Sequence, residues 1–250
     1  MAQSQPVLRE VTSYVVYWGC GVMYVNLALC LFTSYQLHWS DVISTHCKNW
    51  QFFPSMSSVI GNNTPERYIW RIGNCLQIII QYIWIVPLAR HYYRLGTNLL
   101  LIFVFSASYF VQVSGLMILT YVSSTENHSI HEMGFIMYVL GQTIEMASNV
   151  LIDYTTNPPQ GGGLSPTGYR AKYACMILNM MCGVVIALSY YYHITFCTPG
   201  AFSCFALGEW MFVITHITYA FFKNITLKGT GNGLYIVETP ALVTKSVKRS

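Results

Sequence analysis

Residues 45–71 read THCKNWQFFPSMSSVIGNNTPERYIWR, and the reading of this stretch decides the fold. It lies between two long apolar runs, but Pro54, Gly61, Pro65 and its polar side chains bar it from being a third. As a loop, it brings His46, Cys47, the Ser55 and Ser57 hydroxyls and two arginines, Arg67 and Arg71, to the mouth of the next helix. Guanidinium groups fork onto phosphate oxygens, and a helix N-terminus adds partial positive charge. The arrangement therefore suits an anionic lipid head group. The plainer alternative is a well-packed loop with an interface anchor.

Outward from this loop the chain is strongly apolar. Its 250 residues are 54% hydrophobic and only 9% charged, with positive mean hydropathy. A soluble domain carries about 25% charged residues, so the composition marks a membrane protein. No basic block with interleaved aromatics occurs in a solvated segment, which argues against nucleic acid as a partner. A removable signal peptide is not expected, because the first apolar run is about 23 residues against roughly 7–15 for a signal h-region.

About 20 apolar residues cross a bilayer at roughly 1.5 Å of rise each. Six runs meet this length: Val11–Thr33, Tyr68–Leu88, Leu99–Tyr121, Met133–Ile152, Ala171–Tyr192 and Ala201–Phe222. Pro87 and Pro199-Gly200 serve as boundary marks. The expected architecture is an all-α integral membrane protein, one six-helix bundle over residues 1–228. A flexible basic tail at 229–250 could rest on anionic lipid. Gly161-Gly162-Gly163 reads as a linker.

Ten of the 13 Lys and Arg residues fall on the side of the chain termini: Arg9, Arg90, Arg94, Arg170, Lys172, Lys223, Lys228, Lys245, Lys248 and Arg249. The opposite side holds Lys48 and Arg67, with Arg71 inside the span. The positive-inside rule then puts both termini in the cytosol and the loops at 45–71, 122–132 and 193–200 on the lumenal or extracellular side. Cys47, Cys197 and Cys204 lie at or near that oxidising side, where disulfides persist. A Cys47–Cys197 bridge stapling the long loop to the last turn is the expected pairing. Asn62 and Asn127 head glycosylation sequons there, and the Asn224 sequon would be cytosolic and silent.

Polar residues recur at helical spacing inside the spans. The second carries Arg67, Arg71, Asn74, Gln77 and Gln81; the fourth Gln142, Glu145, Asn149 and Asp153; the sixth Glu209, His216 and Lys223. The third adds Ser108, Gln112 and Gly115. Such stripes face the bundle, because lipid exposure costs several kcal/mol. They read either as interhelical hydrogen-bond glue or as the lining of a cavity for a polar head group. Arg71 and Glu209 differ in depth by roughly 7 Å at 1.5 Å per residue, which makes them the expected ion pair.

In the loop at 123–132, His131 could act as a general base with Glu126 or Glu132 as its partner. His46, His131 and an acidic residue have no helix-fixed metal-ligand spacing, so no metal is expected. There is no Gly-x-Ser-x-Gly elbow or phosphate-cradling loop.

The sequence resembles a known family. The resemblance is carried by His46-Cys47, Phe-Pro-Ser-Met-Ser-Ser-Val-Ile-Gly at 53–61, Pro-Glu-Arg-Tyr-Ile-Trp-Arg at 65–71, Leu-Thr-Tyr-Val-Ser-Ser-Thr-Glu at 119–126, Ile-His-Glu at 130–132 and Glu209-Trp210. Nearly the whole chain is similar to the post-GPI attachment to proteins factor 2 family, six-span proteins of GPI-anchor lipid remodelling. The resemblance implies re-acylation of lyso-GPI with a saturated chain on the lumenal side, in the Golgi or the ER. The implied partners are GPI-anchored proteins, lyso-GPI and membrane lipids, with no cofactor and an unidentified acyl donor. His46, Cys47, Arg67, Arg71, His131, Glu132 and Glu209 match its motifs. On this reading His131, Glu132, His46 and Glu209 are the catalytic candidates. Arg67 and Arg71 hold inositol phosphate, with Ser55, Ser57, Asn74 and Glu145 also on the substrate. A non-catalytic lipid- or cargo-binding scaffold is the alternative. A transporter is disfavoured, since no spans show inverted-repeat symmetry.

Overall fold

A computed structural model describes residues 5–156 and 166–229, with side chains over 14–156 and 167–223. The chain forms eight helices among these residues: α1 (Gln5–Leu37), α2 (Trp39–Val42), α3 (Met56–Gly61), α4 (Glu66–Arg94), α5 (Leu99–Tyr121), α6 (His128–Thr156), α7 (Pro166–Phe196) and α8 (Ala201–Gly229). Six of them, all but α2 and α3, are long and apolar enough to cross a membrane, and the protein is a multi-pass membrane protein. The linker at 161–163 and the tail beyond Gly229 lie outside the described residues.

Local chemistry sets several helix ends. Asn98 caps α5 by accepting the Leu100 N–H at 2.8 Å, and Asn127 caps α6 by accepting that of Ile130 at 3.1 Å. α4 ends at Gly96, whose φ of 77° closes a Schellman motif: Thr97 N–H reaches Tyr92 O at 3.2 Å and Gly96 N–H reaches Tyr93 O at 3.0 Å. Pro87 is not a boundary, because α4 runs through it to Arg94. Trp84, Leu88, His91 and Tyr92 are buried on both sides of the proline, and this packing carries the helix across the missing N–H.

The bundle is polar inside and apolar outside. Gln142, Glu145, Asn149 and Asp153 are all buried on α6, while Ile72, Leu100 and Phe103 point outward. In the half near Gln5 and Gly229, Glu145, Asn149 and Asp153 find partners on the neighbouring helices. Lys223 Nζ lies 2.8 Å from Glu145 Oε1, and Lys172 Nζ binds Asp153 and, at 2.7 Å, Asn149 Oδ1. The Tyr219 hydroxyl donates to the same Asn149 oxygen at 2.7 Å, and Tyr92 accepts from Asn149 Nδ2. This is interhelical glue, the plainer of the two readings of the stripes. Gln77, Gln81, Gln112, His216 and Lys223 line a separate interior cavity of about 100 Å³.

α5 packs closely on α6, and α7 on α8, whereas α6 and α7 touch much less. Glycine permits the α5–α6 approach. A Cβ on Gly115 would lie 2.5 Å from Tyr138 N, and one on Gly141 2.6 Å from Gln112 N. Both clashes are with backbone and cannot be relieved by a rotamer change. Gly115→Ala is therefore expected to cost about 1–3 kcal/mol in detergent unfolding. Gly21→Ala, with nothing within 4 Å of the added carbon, is the control expected to cost nothing.

Candidate functional site

At the end of the bundle opposite Gln5 and Gly229, the 45–71 segment folds back onto the helices. The Cys47–Cys197 disulfide is formed and ties it to the α7–α8 turn, as the cysteine placement suggested. Gly200 N–H donates to Trp50 O at 3.0 Å beside it. Further in, Ser203 Oγ receives the Phe52 and Phe53 N–H groups at 2.8 and 3.0 Å, and Trp210 Nε1 donates to Pro54 O at 3.2 Å. The short α3 begins here, capped by Ser55, whose Oγ accepts the Ser58 N–H at 3.2 Å.

Glu209 meets this turn, not Arg71. Its Oε2 accepts the Met56 N–H at 3.1 Å. The expected Arg71–Glu209 pair is absent because Arg71 turns toward the loop end of α5. There it donates to the Thr120 and Tyr121 carbonyls at 3.3 and 2.9 Å and to Glu126 Oε2 at 3.0 Å. The last carbonyls of a helix have no intrahelical donor, and a guanidinium satisfies them. Arg67 does the same for α3, donating to Gly61 O and Asn62 O at 2.7 and 2.8 Å, with Glu126 3.8 Å away. Each arginine side chain keeps about a quarter of its surface exposed.

Glu126 holds the 122–127 loop. The Ser123 N–H, at 2.9 Å from Oε2, is the main reason its carboxyl sits below the ordinary glutamate value, with Arg71 contributing. A carboxyl lowered by folding stabilises the loop above its unfolded value, and that contribution is lost as pH falls through the lowered one. Amide protection at 122–127, corrected for intrinsic exchange, should be level above about pH 5 and drop below about pH 4. Glu126→Gln should remove the step, and protection unchanged to about pH 3 in the parent protein would contradict the assignment.

His131, on the first turn of α6, is 7% exposed and bonded through both ring nitrogens. Nδ1 lies 2.7 Å from the Val122 carbonyl and Nε2 lies 3.0 Å from Ser57 Oγ. A carbonyl can only accept, so Nδ1 carries the proton and the neutral ring presents the Nε2 lone pair to the Ser57 hydroxyl. The expected carboxylate partner of His131 is thus replaced by a backbone carbonyl. Glu126 is engaged by the arginines, and Glu132 is exposed on the groove wall.

This pair opens on a groove of about 520 Å³ between α6 and α7, closed at the back by α8. Ser55, Ser57, Ser124, His128, His131, Glu132 and Glu209 form its polar part, and Phe135, Ile136, Val139, Leu140, Ile186 and Phe205 continue it as an apolar wall. A volume in this range accommodates a small ligand or lipid chain. A neutral imidazole facing a hydroxyl beside such a groove can take a proton from that hydroxyl, or from another in its place.

The structure thus brings Ser55, Ser57, His131, Glu132 and Glu209 together, with Arg67 and Arg71 at the start of α4, against Glu126 of the adjoining loop. Four expected residues, His46, Cys47, Asn74 and Glu145, lie elsewhere. His46 faces His193 across 4.8 Å beside the disulfide. Cys47 Sγ is close to both rings, but in the disulfide it offers no thiolate to a metal. Asn74 is buried and donates to Trp70 O at 2.9 Å. Glu145 sits 14 residues from His131 along α6, roughly 21 Å at 1.5 Å per residue, in its pair with Lys223. Sequence reasoning missed the role of Val122, whose contribution is a carbonyl, and the buried Glu66, whose Oε1 meets His38 Nδ1 at 2.8 Å and accepts from Ser34 Oγ at 3.3 Å.

Comparison with known proteins accords with this architecture. The model of the Frag1/DRAM/Sfk1/Cwh43P N-terminal domain matches residues 11–223, every span included. A Caenorhabditis elegans protein named post-GPI attachment to proteins factor 2 is 30% identical over 223 residues, covering 85% of this chain and 82% of its own. Proteins named acyltransferase PGAP2 from Danio rerio and Xenopus tropicalis are 30% and 27% identical, covering 70% and 76% of this chain and 78% and 77% of theirs. No solved structure matches significantly. The chain belongs to the Frag1/DRAM/Sfk1/Cwh43P family, within its post-GPI attachment to proteins factor 2 branch.

Proposed function

We propose that this protein acts in GPI-anchor maturation as an acyltransferase, re-acylating a lyso-GPI lipid with a saturated chain in the lumenal leaflet of the Golgi or ER. The names of its relatives support GPI-anchor maturation, and two of them support acyl transfer. The observation that carries the chemistry is His131, with Nδ1 on the Val122 carbonyl and Nε2 facing a hydroxyl 3.0 Å away at the wall of a lipid-sized groove. His131 serves as the base, oriented by Val122 O, and Glu209 holds the Ser55–Ser57 turn against it. The acyl chain lies along the apolar wall and reaches the bilayer between α6 and α7. The lyso-GPI phosphate docks at the Arg67–Arg71 rim.

The test is acylation by the full chain in detergent, with a lyso-GPI analogue and either palmitoyl-CoA or a palmitoyl phospholipid, read by mass spectrometry. Acylated product that depends on His131 supports the reading. Binding of the analogue without product from either donor would leave the scaffold alternative.

A further inference from the structure

We infer that Ser57 is the nucleophile of a two-step transfer and carries the acyl chain as an ester on Oγ. The inference rests on the acyl-transfer reading above and deepens it. Ser57 is the hydroxyl already in place: its Oγ is 3.0 Å from Nε2, and the tautomer set by Val122 O leaves that nitrogen as acceptor. Its backbone neighbours are tethered on both sides, Met56 N–H by Glu209 and Ser58 N–H by the Ser55 cap. A nucleophile held in one orientation against its base is the arrangement that activates a serine.

The groove gives a second, independent reason. From His131 it runs along α6 through Phe135 and Val139 to Leu140, nine residues, or roughly 14 Å at 1.5 Å per residue. Its polar groups gather around Ser57, and the apolar wall leads away from it, as an acyl ester on Oγ requires. The pair also borders a cavity of about 40 Å³, which leaves the 520 Å³ groove as the one roomy enough for a chain, so in a direct transfer the donor and the lyso-lipid would have to share it. A covalent carrier lets them occupy it in turn.

The donor is an ester or thioester of a fatty acid. In the first step Ser57 Oγ attacks the acyl carbon, its proton passes to His131 Nε2, and the bond to the leaving group breaks. Nε2 then returns the proton to the leaving alcohol or thiol. In the second step the lyso-lipid hydroxyl attacks the Ser57 ester and gives its proton to Nε2. The Oγ–carbon bond breaks and Oγ takes the proton back. Nothing is oxidised or reduced, and Val122 O stabilises the ring each time it is cationic.

The test uses the full chain in detergent and a long-chain alkyl fluorophosphonate, which phosphonylates activated serines, followed by peptide mapping. Labelling at Ser57 is expected, none in Ser57→Ala, and labelling slowed about 10²-fold or more in His131→Ala. In parallel, palmitoyl-CoA and a palmitoyl phospholipid are each supplied without acceptor. A palmitoyl mass should appear on the Ser57 peptide and leave on adding a lyso-GPI analogue. Size exclusion and thermal unfolding confirm that the variants fold, and Ser57→Cys, which keeps a nucleophile, should retain the acyl adduct. His131-dependent product from folded Ser57→Ala would overturn the carrier role and leave the acyl-transfer reading standing. No label on Ser57 in the folded parent would also overturn it. Label on Ser57 with no acyl product from either donor would overturn the acyl-transfer reading and the carrier role with it.

Discussion

His131→Ala is expected to lower acyl transfer by about 10²–10⁴-fold, the contribution of a positioned general base. The loss follows from two contacts. Without the ring, the Val122 carbonyl has no Nδ1–H to receive and the Ser57 hydroxyl no lone pair to meet. Leaving these partly buried groups unpaired costs about 1–3 kcal/mol in stability, so the comparison is made below the unfolding transition. His131→Gln, which keeps a polar side chain but lacks a basic nitrogen, separates the two effects: it should restore much of the stability and none of the rate. The measurement is product per unit time by mass spectrometry on protein of verified monodispersity. A folded His131→Ala variant within about threefold of the parent rate would remove His131 from the chemistry.

The second large effect is on stability. Lys223→Met leaves Glu145, 1% exposed, without its partner deep in the bundle, and is expected to cost about 3–5 kcal/mol. The Lys223 ammonium also lies 5.2 Å from the Tyr109 ring centre and 5.8 Å from that of Phe105, and these attractions are lost with it. The double replacement Lys223→Met with Glu145→Leu removes both charges and should recover most of the loss, because neither ion then needs desolvating. A double-mutant cycle in detergent unfolding isolates the pair from its surroundings. A single-variant cost below about 1 kcal/mol would mean that the pair is solvated. The recovered double variant should still transfer acyl chains, since Glu145 lies roughly 21 Å from His131 at 1.5 Å per helical residue.

The sequence by itself determined the membrane class, the six spans and the inward direction of the polar stripes. Hydrophobicity sums locally along a run, and a 3.6-residue period needs no knowledge of the neighbouring helix. The Cys47–Cys197 pairing was within reach because charge counting put both cysteines on one side. Only the tertiary structure decided what each polar group in the site touches. Arg71 could reach Glu209 by depth, yet it takes the last carbonyls of α5, which have no intrahelical donor, and the Glu126 carboxylate beside them. The partner of His131 is a peptide carbonyl at Val122, and every residue has one, so no side-chain pattern could mark it. Ser57 meets His131 across 74 residues because Gln51, Pro54 and Met56 fix the returning loop to α8. Such long-range hydrogen bonds exist only once the helices are assembled, and they turn a polar loop into a site.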